Sequence, residues 1–326
     1  AAPLSVAGVD EPVDAGNVMR VIQGQWSQTG EGQGQDWWLH RKDFMGDVAA
    51  ALFARLGQAQ GVDPGALVSA VKQALDQKHL LVYLSEPGVA ALLRAQNWDG
   101  ALPDPAQQGD FLLLVDSNAG FNKVDARVER SLVYQVELAA GGPVRARLAA
   151  TYRHRGQTPV GDCVQEARYG ETYGDMLERC YWDYARLYVP GGSRLAAPAV
   201  DGVPAGSLLA RSGSLLRLEP ALTAGEWAVW TAFFSLAPAE EYTVAWSYEL
   251  PADVVALRPG GLVEYRLRVV KQPGTEALPL RLEVQLPEGA ELVAGSLLVE
   301  TDLRQDRDFV VQYLPAGAAL ESEAEP

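Results

Sequence analysis

A long stretch of two-residue alternation, from Val128 to Tyr152, sets the strongest limit on how this chain can fold. Gly141, Gly142 and Pro143 divide it into two arms and are typical turn residues. Because successive side chains of a strand point to opposite faces, the pattern predicts a half-buried β-hairpin. The apolar positions are Val128, Leu132, Tyr134, Val136, Leu138, Val144, Ala146, Leu148, Ala150 and Tyr152, and the polar positions between them are Glu129, Ser131, Gln135, Glu137, Arg145, Arg147 and Thr151.

The chain before this hairpin has helical periodicity interrupted by short apolar runs. Apolar residues at four-residue spacing predict a helix from about Arg41 to Gln58, and Asp63 before Pro64 is an N-cap followed by a proline at the first helical position. A third helix begins at Pro87. The runs HLLVYL at 79–84 and FLLLVD at 111–116 predict buried strands, so this part resembles a layered α/β unit.

The chain after the hairpin predicts strands throughout, separated by Gly and Pro. We therefore predict an α+β protein, in which an α/β layered segment is followed by antiparallel immunoglobulin-like β-sandwich modules. The predicted boundaries are the α/β segment at 1–123 as the later part of a larger domain, a sandwich with a cysteine loop at 124–251, a second sandwich or an extension of the first at 252–315, and a disordered acidic tail at 316–326.

The charge of the chain limits its partners. There are 27 Lys and Arg residues against 42 Asp and Glu residues, which gives a net charge of −15. Such a charge opposes binding to nucleic acid phosphates and to anionic lipid. The first ten residues lack the pattern of a signal peptide, and no run has the roughly 18 apolar residues that span a bilayer. We expect contact with a membrane only through an anchor upstream of this chain.

The two cysteines, Cys163 and Cys180, lie close together in sequence. They fit a disulfide, two buried free thiols, or half of a metal site, but with His154 outside the loop they match no usual zinc spacing. We predict the disulfide, which would stabilise the fold by about 3 kcal/mol in the chain-entropy model. A disulfide implies an oxidising, extracytoplasmic location, at the cell surface or in the envelope.

The loop DSNAGFNKVD concentrates oxygen-bearing side chains around a glycine. Asp116, Asn118, Asn122 and Asp125 are candidate ligands for a hard cation such as Ca²⁺. The loop lacks the further carboxylates and the distal Glu of an EF-hand. Two alternatives remain: the Asn and Asp side chains bond their own backbone, or Asn122 and Lys123 bind a ligand without metal.

A second polar cluster, DWWLHRKDF, places Arg41 and Lys42 at a helix start. Basic residues oppose the helix dipole there, so they are candidates to hold an anionic ligand, although surface ion pairs with Asp43 or Asp47 are the common alternative. The chain has none of the usual hydrolase, nucleotide or zinc-protease motifs. We therefore assign no catalytic residue and no cofactor other than the candidate calcium.

Several strings together resemble a known family: NVMRVIQGQW, WLHRKDFMGDVAAALFARL, LLVYLSEPGVAALLRAQNWDGALP, DFLLLVDSNAGFNKVDARVERS, CYWDYARLYVPGGS and YRLRVVKQPGT. They are similar to the later part of a bacterial envelope family called domain of unknown function 4012. The resemblance implies a membrane-anchored precursor with most of its chain outside the cell, and it adds no reaction. The Arg41 and Lys42 helix also resembles the helix that helps hold a lipid pyrophosphate in LytR-CpsA-Psr glycopolymer transferases.

The sequence therefore favours a non-enzymatic extracytoplasmic envelope protein with a structural or surface-interaction role. Its expected partners are other envelope or surface proteins, or glycans, and not nucleic acid. The first alternative is a divergent glycopolymer transferase that binds a polyprenyl pyrophosphate. The second is a calcium-stabilised adhesion module.

Overall fold

A computed structural model describes residues 3–28, 43–58, 63–103, 109–157, 161–166, 173–199, 220–224 and 227–318. Its helices are α1 (Val18–Gln28), α2 (Asp43–Gln58), α3 (Pro64–Asp76), α4 (Pro87–Ala95) and α5 (Tyr173–Leu177). Its strands are β1 (Asp110–Val115), β2 (Val128–Glu137), β3 (Val144–His154), β4 (Tyr181–Pro190), β5 (Arg194–Ala199), β6 (Pro220–Ala224), β7 (Trp227–Leu236), β8 (Glu241–Leu250), β9 (Val255–Leu257), β10 (Val263–Val269), β11 (Pro279–Gln285), β12 (Glu291–Ala294), β13 (Leu298–Asp302) and β14 (Arg307–Leu314).

The strands form two mixed sheets that pack on one hydrophobic core. An eight-stranded sheet has the order β12-β14-β10-β1-β4-β7-β6, with β9 beside β10, and a six-stranded sheet has the order β13-β11-β2-β3-β8-β5. The core includes Tyr134 and Trp246 from the six-stranded sheet and Leu187 and Tyr265 from the eight-stranded sheet. The fold is therefore α+β, with a two-sheet β body.

The hairpin predicted from the alternation is confirmed. β2 and β3 pair antiparallel from Val128 opposite His154 to Glu137 opposite Arg145. β8 pairs with the other edge of β3 over ten residues, so β3 has a hydrogen-bonded strand on each side. The apolar set points into the core, and the polar set points away from it.

The expected antiparallel modules need correction. β1 pairs parallel with β10, and β2 pairs parallel with β11. Parallel neighbours require a long connection, which the intervening chain provides here. These pairings join strands on opposite sides of the predicted boundaries at 123/124 and 251/252, so the strands of all three predicted segments share two sheets and one core. The immunoglobulin-like relationship stays a prediction.

The strand predicted at 79–84 is wrong. This run is irregular in structure, and its contact with the segment after α4 is a hydrogen bond from the Val82 backbone N–H to the Trp98 carbonyl at 2.9 Å. Leu80, Leu81 and Leu84 are 40–46% exposed, and Tyr83 is 83% exposed. An apolar run shows that burial is favourable, but it does not supply a neighbouring strand.

The helices lie at the edge of the β body. Asp63 caps α3 as predicted, since its Oδ1 accepts from the backbone N–H groups of Gly65 and Ala66. Side chains of α2 pack against α1, but no residue of α2 is fully buried, in contrast to the broad buried face that its periodicity predicts. None of the described helices combines the length and the hydropathy that crossing a bilayer requires.

The outer faces of the two sheets differ. Trp182 and Phe233 pack together on the outer side of the eight-stranded sheet, and Phe111 and Trp227 form a second apolar cluster there. The six-stranded sheet instead carries polar side chains on its outward positions, as antiparallel sheets with one solvated face do. We call these outward side chains of β2, β3, β8 and β11 the outer sheet face.

Candidate functional site

The loop from Asp116 to Asp125 brings most of the predicted site residues together, but they bond chiefly to one another. The Asn118 Nδ2 group donates to Asn122 Oδ1 and to Asp125 Oδ2, both at 2.8 Å. The oxygen of Asn118 accepts from the Gly120 backbone N–H, and Asn122 Nδ2 donates to the carbonyl of Cys180 at 2.8 Å. These are the local side-chain bonds that stabilise a tight connection.

Gly120 is required for this packing. A Cβ atom there would lie 2.6 Å from Asn122 Nδ2 and 3.0 Å from the indole ring of Trp182. The loop therefore sits directly against β4, where the Ala119 N–H donates to the Trp182 carbonyl and the Tyr184 N–H donates to the Ser117 carbonyl. The geometry is that of a structural connection between β1 and β2.

The calcium hypothesis receives no geometric support from the described residues. They contain no group of three or more His, Cys, Asp or Glu side chains placed to hold a metal ion. A cation would also have to compete with the amide N–H groups that Asn118 directs at Asp125. The calcium role stays a prediction.

The remaining predicted ligand residues fall in different places. Lys123 has an exposed side chain that forms no ion pair with the described residues, and its backbone N–H donates to the Met176 carbonyl. Arg41 and Lys42 lie outside the described residues, so the structure does not place them beside Asn122 and Lys123.

Cys163 and Cys180 form the predicted disulfide. It closes the loop that precedes β4 and packs with Trp182 and Phe233. The disulfide indicates an oxidising compartment outside the cytoplasm. Tyr181 and Trp182, which follow it, are 0% and 2% exposed, so these two aromatic side chains belong to the core and not to a recognition surface.

A buried ionic cluster lies beneath the loop, and the sequence alone did not predict it. It consists of Asp116, Arg130, Tyr152, Tyr181 and Asp183. Asp116 accepts from the Tyr152 hydroxyl at 2.7 Å and from Arg130 Nη1 at 3.0 Å. Asp183 accepts from the Ser117 backbone N–H at 2.9 Å. These contacts join β1, β2, β3 and β4 at one end of the body.

The two carboxyl groups of this cluster, those of Asp116 and Asp183, lie in different electrostatic environments. Burial raises the pKa of Asp183 well above its usual range, and the negative charge of Asp116 raises it further, against the opposing effects of Arg130 and Tyr181. Burial disfavours the charged form of Arg130, but the Asp116 carboxylate together with Tyr181, Tyr152 and Asp183 outweighs burial and raises the pKa of the guanidinium. These effects favour a neutral Asp183 beside the ion pair of Asp116 with Arg130.

A cleft of about 1130 Å³ opens above the cluster. Its walls are the loop at 272–279, the start of β2 and the end of β3, and Asp116 contributes to its floor. We call it the loop cleft. Its arginines are paired with carboxylates: Arg127 with Glu178 at 3.9 Å, Arg130 with Asp116 at 3.0 Å, Arg153 with Glu241 at 3.0 Å, and Arg155 with Glu129 at 2.7 Å.

A second cleft, of about 450 Å³, lies at the other end of the outer sheet face. We call it the strand-end cleft. Its polar lining comes from outward positions of four adjacent strands: Glu283 and Gln285 on β11, Gln135 and Glu137 on β2, Arg145 and Arg147 on β3, and Ser247 and Glu249 on β8. Both clefts therefore open on the same polar surface.

The sequence contained partial signals for these residues. Arg145, Arg147 and Thr151 were predicted on the solvated face of the hairpin, and they lie there. Asp183 lies within the apolar run CYWDY, and a carboxylate in a strand that is otherwise buried indicates a buried polar contact. Its partners could not be read from the sequence, because Asp116 and Asp183 are 67 positions apart and meet only through the pairing of β1 with β4.

Comparison with known proteins adds little. No family model matches the chain, and no curated protein matches it. Among solved structures, a candidate nutrient binding protein from Legionella pneumophila covers 63% of this chain and 70% of its own, with 10% sequence identity and a TM-score of 0.26. A likeness at that TM-score carries no argument about fold or ligand. The resemblance to the domain of unknown function 4012 family stays a prediction.

Proposed function

We propose that this protein is an extracytoplasmic protein of the cell envelope that binds a surface polymer or partner protein through its outer sheet face, without catalysing a reaction. The observation that carries the proposal is the polar surface of the six-stranded sheet, which no described element covers and on which both clefts open. The inner side of the same strands is packed in the core, so the sheet serves as a rigid support for that surface.

The buried ionic cluster supports a structural role for the predicted site loop. Asp116 is engaged by Arg130 and Tyr152, and Asp183 is fully buried. A catalytic acid or base must reach the proton that it transfers. These groups instead fix the ends of four strands and thereby hold the floor of the loop cleft in place.

The disulfide and the charge are consistent with this location. Cys163 and Cys180 are oxidised, and a net charge of −15 disfavours nucleic acid. Membership of the domain of unknown function 4012 family, an anchored precursor and an immunoglobulin-like origin of the β body are parts of the proposal.

Retention of the purified protein on isolated, insoluble envelope material tests the binding surface. Thr243→Trp places a large ring between the two clefts, where Thr243 is exposed and pairs with Thr151. We expect it to lower retention at least about tenfold. The matched control is Leu257→Trp, because Leu257 is 81% exposed on β9 of the other sheet.

Equal retention of the two variants, or no retention of the wild-type protein, would refute binding through the outer sheet face. Location is tested separately by mass spectrometry of the native protein after cell fractionation. We expect the extracytoplasmic fraction and an oxidised Cys163–Cys180 pair. Recovery from the cytoplasm with two free thiols would refute the envelope assignment.

A further inference from the structure

The arginines of the outer sheet face are in most cases neutralised by a neighbouring carboxylate. Arg145 lies between Glu137 and Glu249 in the strand register and is 3.9 Å from Glu137. Arg153 forms an ion pair with Glu241 at 3.0 Å. Arg281 likewise contacts Glu283 at 2.6 Å and Glu300 at 2.8 Å. Alternating charges of this kind stabilise cross-strand pairs and leave little charge for a ligand.

Arg147 differs from these arginines. Its cross-strand neighbours are the neutral side chains Gln135 and Ser247. It is exposed, lines the strand-end cleft and forms no ion pair with the described residues. The nearest carboxylate in its row, Glu283, already accepts from Arg281 and from Gln135 Nε2 at 2.7 Å. The guanidinium therefore offers its donors to the cleft.

A strip of small apolar residues lies next to Arg147 along the strands. Val133, Ala149 and Ala245 face outward in one row across β2, β3 and β8. The next row, Ser131, Thr151 and Thr243, presents hydroxyl groups, of which Thr151 Oγ1 and Thr243 Oγ1 are 2.9 Å apart. The rows of Arg147 and of Thr151 are four residues apart, on the order of 14 Å at the rise of a strand. The surface thus has a row of small side chains with a cation on one side and hydroxyls on the other, and we call this row with its two flanking rows the trough.

We infer that this trough binds a glycan that carries carboxylate groups, of the uronic acid type, with Arg147 as the residue that pairs with the carboxylate. The inference rests on the proposed function and specifies its ligand. A guanidinium matches a carboxylate through two parallel hydrogen bonds, and neutral hydroxyl and amide side chains suit the remaining sugar hydroxyls.

The sheet favours a glycan over a peptide at this position. β2 and β3 are central strands, whose backbone groups are paired with neighbours on both sides. An extended peptide gains its affinity by adding to a free strand edge, and the trough offers none. Recognition there must use side chains alone. The net charge of −15 also selects against densely charged polyanions and in favour of isolated carboxylates.

Titration calorimetry with three probes tests the inference: a hexasaccharide that alternates glucuronic acid with N-acetylglucosamine, its carboxyl-reduced neutral form, and inorganic phosphate as a competitor. We expect the wild-type protein to bind the acidic hexasaccharide at least about tenfold more tightly than the neutral form, as the loss of a charged hydrogen-bonded pair implies. Arg147→Gln should lose that preference. Arg20→Gln is the matched control, since Arg20 lies on α1, outside the outer sheet face, and is already paired with Glu11 at 2.7 Å, and it should bind within about twofold of the wild type.

Wild-type affinity for the acidic hexasaccharide in Arg147→Gln, or equal affinity of the wild type for the acidic and neutral forms, would overturn the inference. Displacement by an equimolar amount of inorganic phosphate would assign the site to phosphate and overturn the carboxylate. Failure of the wild type to bind any of the probes would also refute this ligand. The proposed function would then still be decided by the retention of Thr243→Trp against Leu257→Trp, so the two failures are distinguishable.

Discussion

Asp116 and Asp183 lie in the same buried cluster, but replacement by Asn is expected to destabilise the protein at Asp116 and to have little effect at Asp183. Burial and the neighbouring Asp116 raise the pKa of Asp183, which favours the neutral carboxyl group, and Asn is a close substitute for that form. Asp116→Asn instead leaves the buried guanidinium of Arg130 without its charged partner. We expect Asp116→Asn to lower the free energy of unfolding by about 3 kcal/mol and Asp183→Asn to change it by less than about 1 kcal/mol. Urea denaturation at pH 7 measures both, and equal losses would contradict the assignment of the charge to Asp116.

Asp110 provides a second test at the scale of a residue. It accepts from the hydroxyls of Tyr134 and Tyr265, each at 2.6 Å, and burial raises its pKa from 3.8 to about 6 although both hydrogen bonds lower it. The native state therefore binds this proton more tightly than the unfolded chain does. The contribution of Asp110 to stability is fully present below about pH 4 and is lost as the pH rises through 6, by roughly 3 kcal/mol.

The comparison of wild type with Asp110→Asn isolates this effect. The substituted side chain does not titrate. The unfolding free energy of the wild type should therefore fall relative to that of Asp110→Asn as the pH rises from 4 to 6.5. Other carboxyl groups cancel in this difference, including Glu264, whose pKa is lowered to about 2 by hydrogen bonds from Arg266, Gln312 and Arg258. A difference that stays constant over this range would show that Asp110 titrates normally.

At the scale of elements, Lys78 fastens the end of α3 to the β body. Its ammonium group is 2.8 Å from Asp306, with the two side chains 5% and 12% exposed, and its carbonyl accepts from the Gly274 backbone N–H at 3.0 Å. Lys78→Met breaks a buried ion pair, which costs about 3 kcal/mol. We expect the amides of α3 to exchange with solvent roughly a hundredfold faster in this variant, measured by hydrogen exchange and mass spectrometry.

Lys72→Met is the matched control for Lys78→Met. Lys72 pairs with Asp76 on the same helix, but its side chain is 61% exposed. Exposed pairs at this spacing contribute at most a few tenths of a kcal/mol, so exchange in α3 should hardly change. Similar acceleration in both variants would mean that Lys78 has no special role in docking the helix.

The elements that could be predicted are those whose signal is local. The hairpin of β2 and β3 was predicted because alternation and turn residues lie within one stretch of sequence, and α3 because Asp63 and Pro64 mark its start. The segment at 79–84 was predicted incorrectly. Its apolar residues are compatible with burial, but no strand lies beside them among the described residues. Pairing depends on partners that are distant in sequence.

The same distinction explains the candidate site. Asn118 and Asn122 bond to groups within the loop, and this alternative was readable from their spacing. The cluster around Asp116 could not be predicted, because Arg130 reaches it from β2 of the other sheet and Asp183 from the neighbouring strand β4. The special position of Arg147 likewise follows only from the register that places neutral side chains next to it.

At the scale of the whole molecule, the parallel pairs determine how the β body is held together. β1 and β2 come early in the chain, and their parallel partners β10 and β11 come more than 130 residues later. Neither the segment before residue 251 nor the segment after it contains a complete sheet. The inward side chains of both segments also belong to one core cluster. Unfolding should therefore be cooperative across the predicted boundary at 251/252.

Leu282→Ala tests this cooperativity. Leu282 lies on β11, is 1% exposed and is opposite Tyr134 of β2 in the parallel register. The truncation leaves a cavity in the shared core, so we expect it to lower the free energy of unfolding by about 3 kcal/mol. Because the core is common, amides of β2 and β3 should exchange faster by the same factor as those of β10 and β14, measured in one hydrogen-exchange experiment on the full chain. Faster exchange confined to residues after 251 would instead show two modules that unfold independently, and the shared core would then not govern stability.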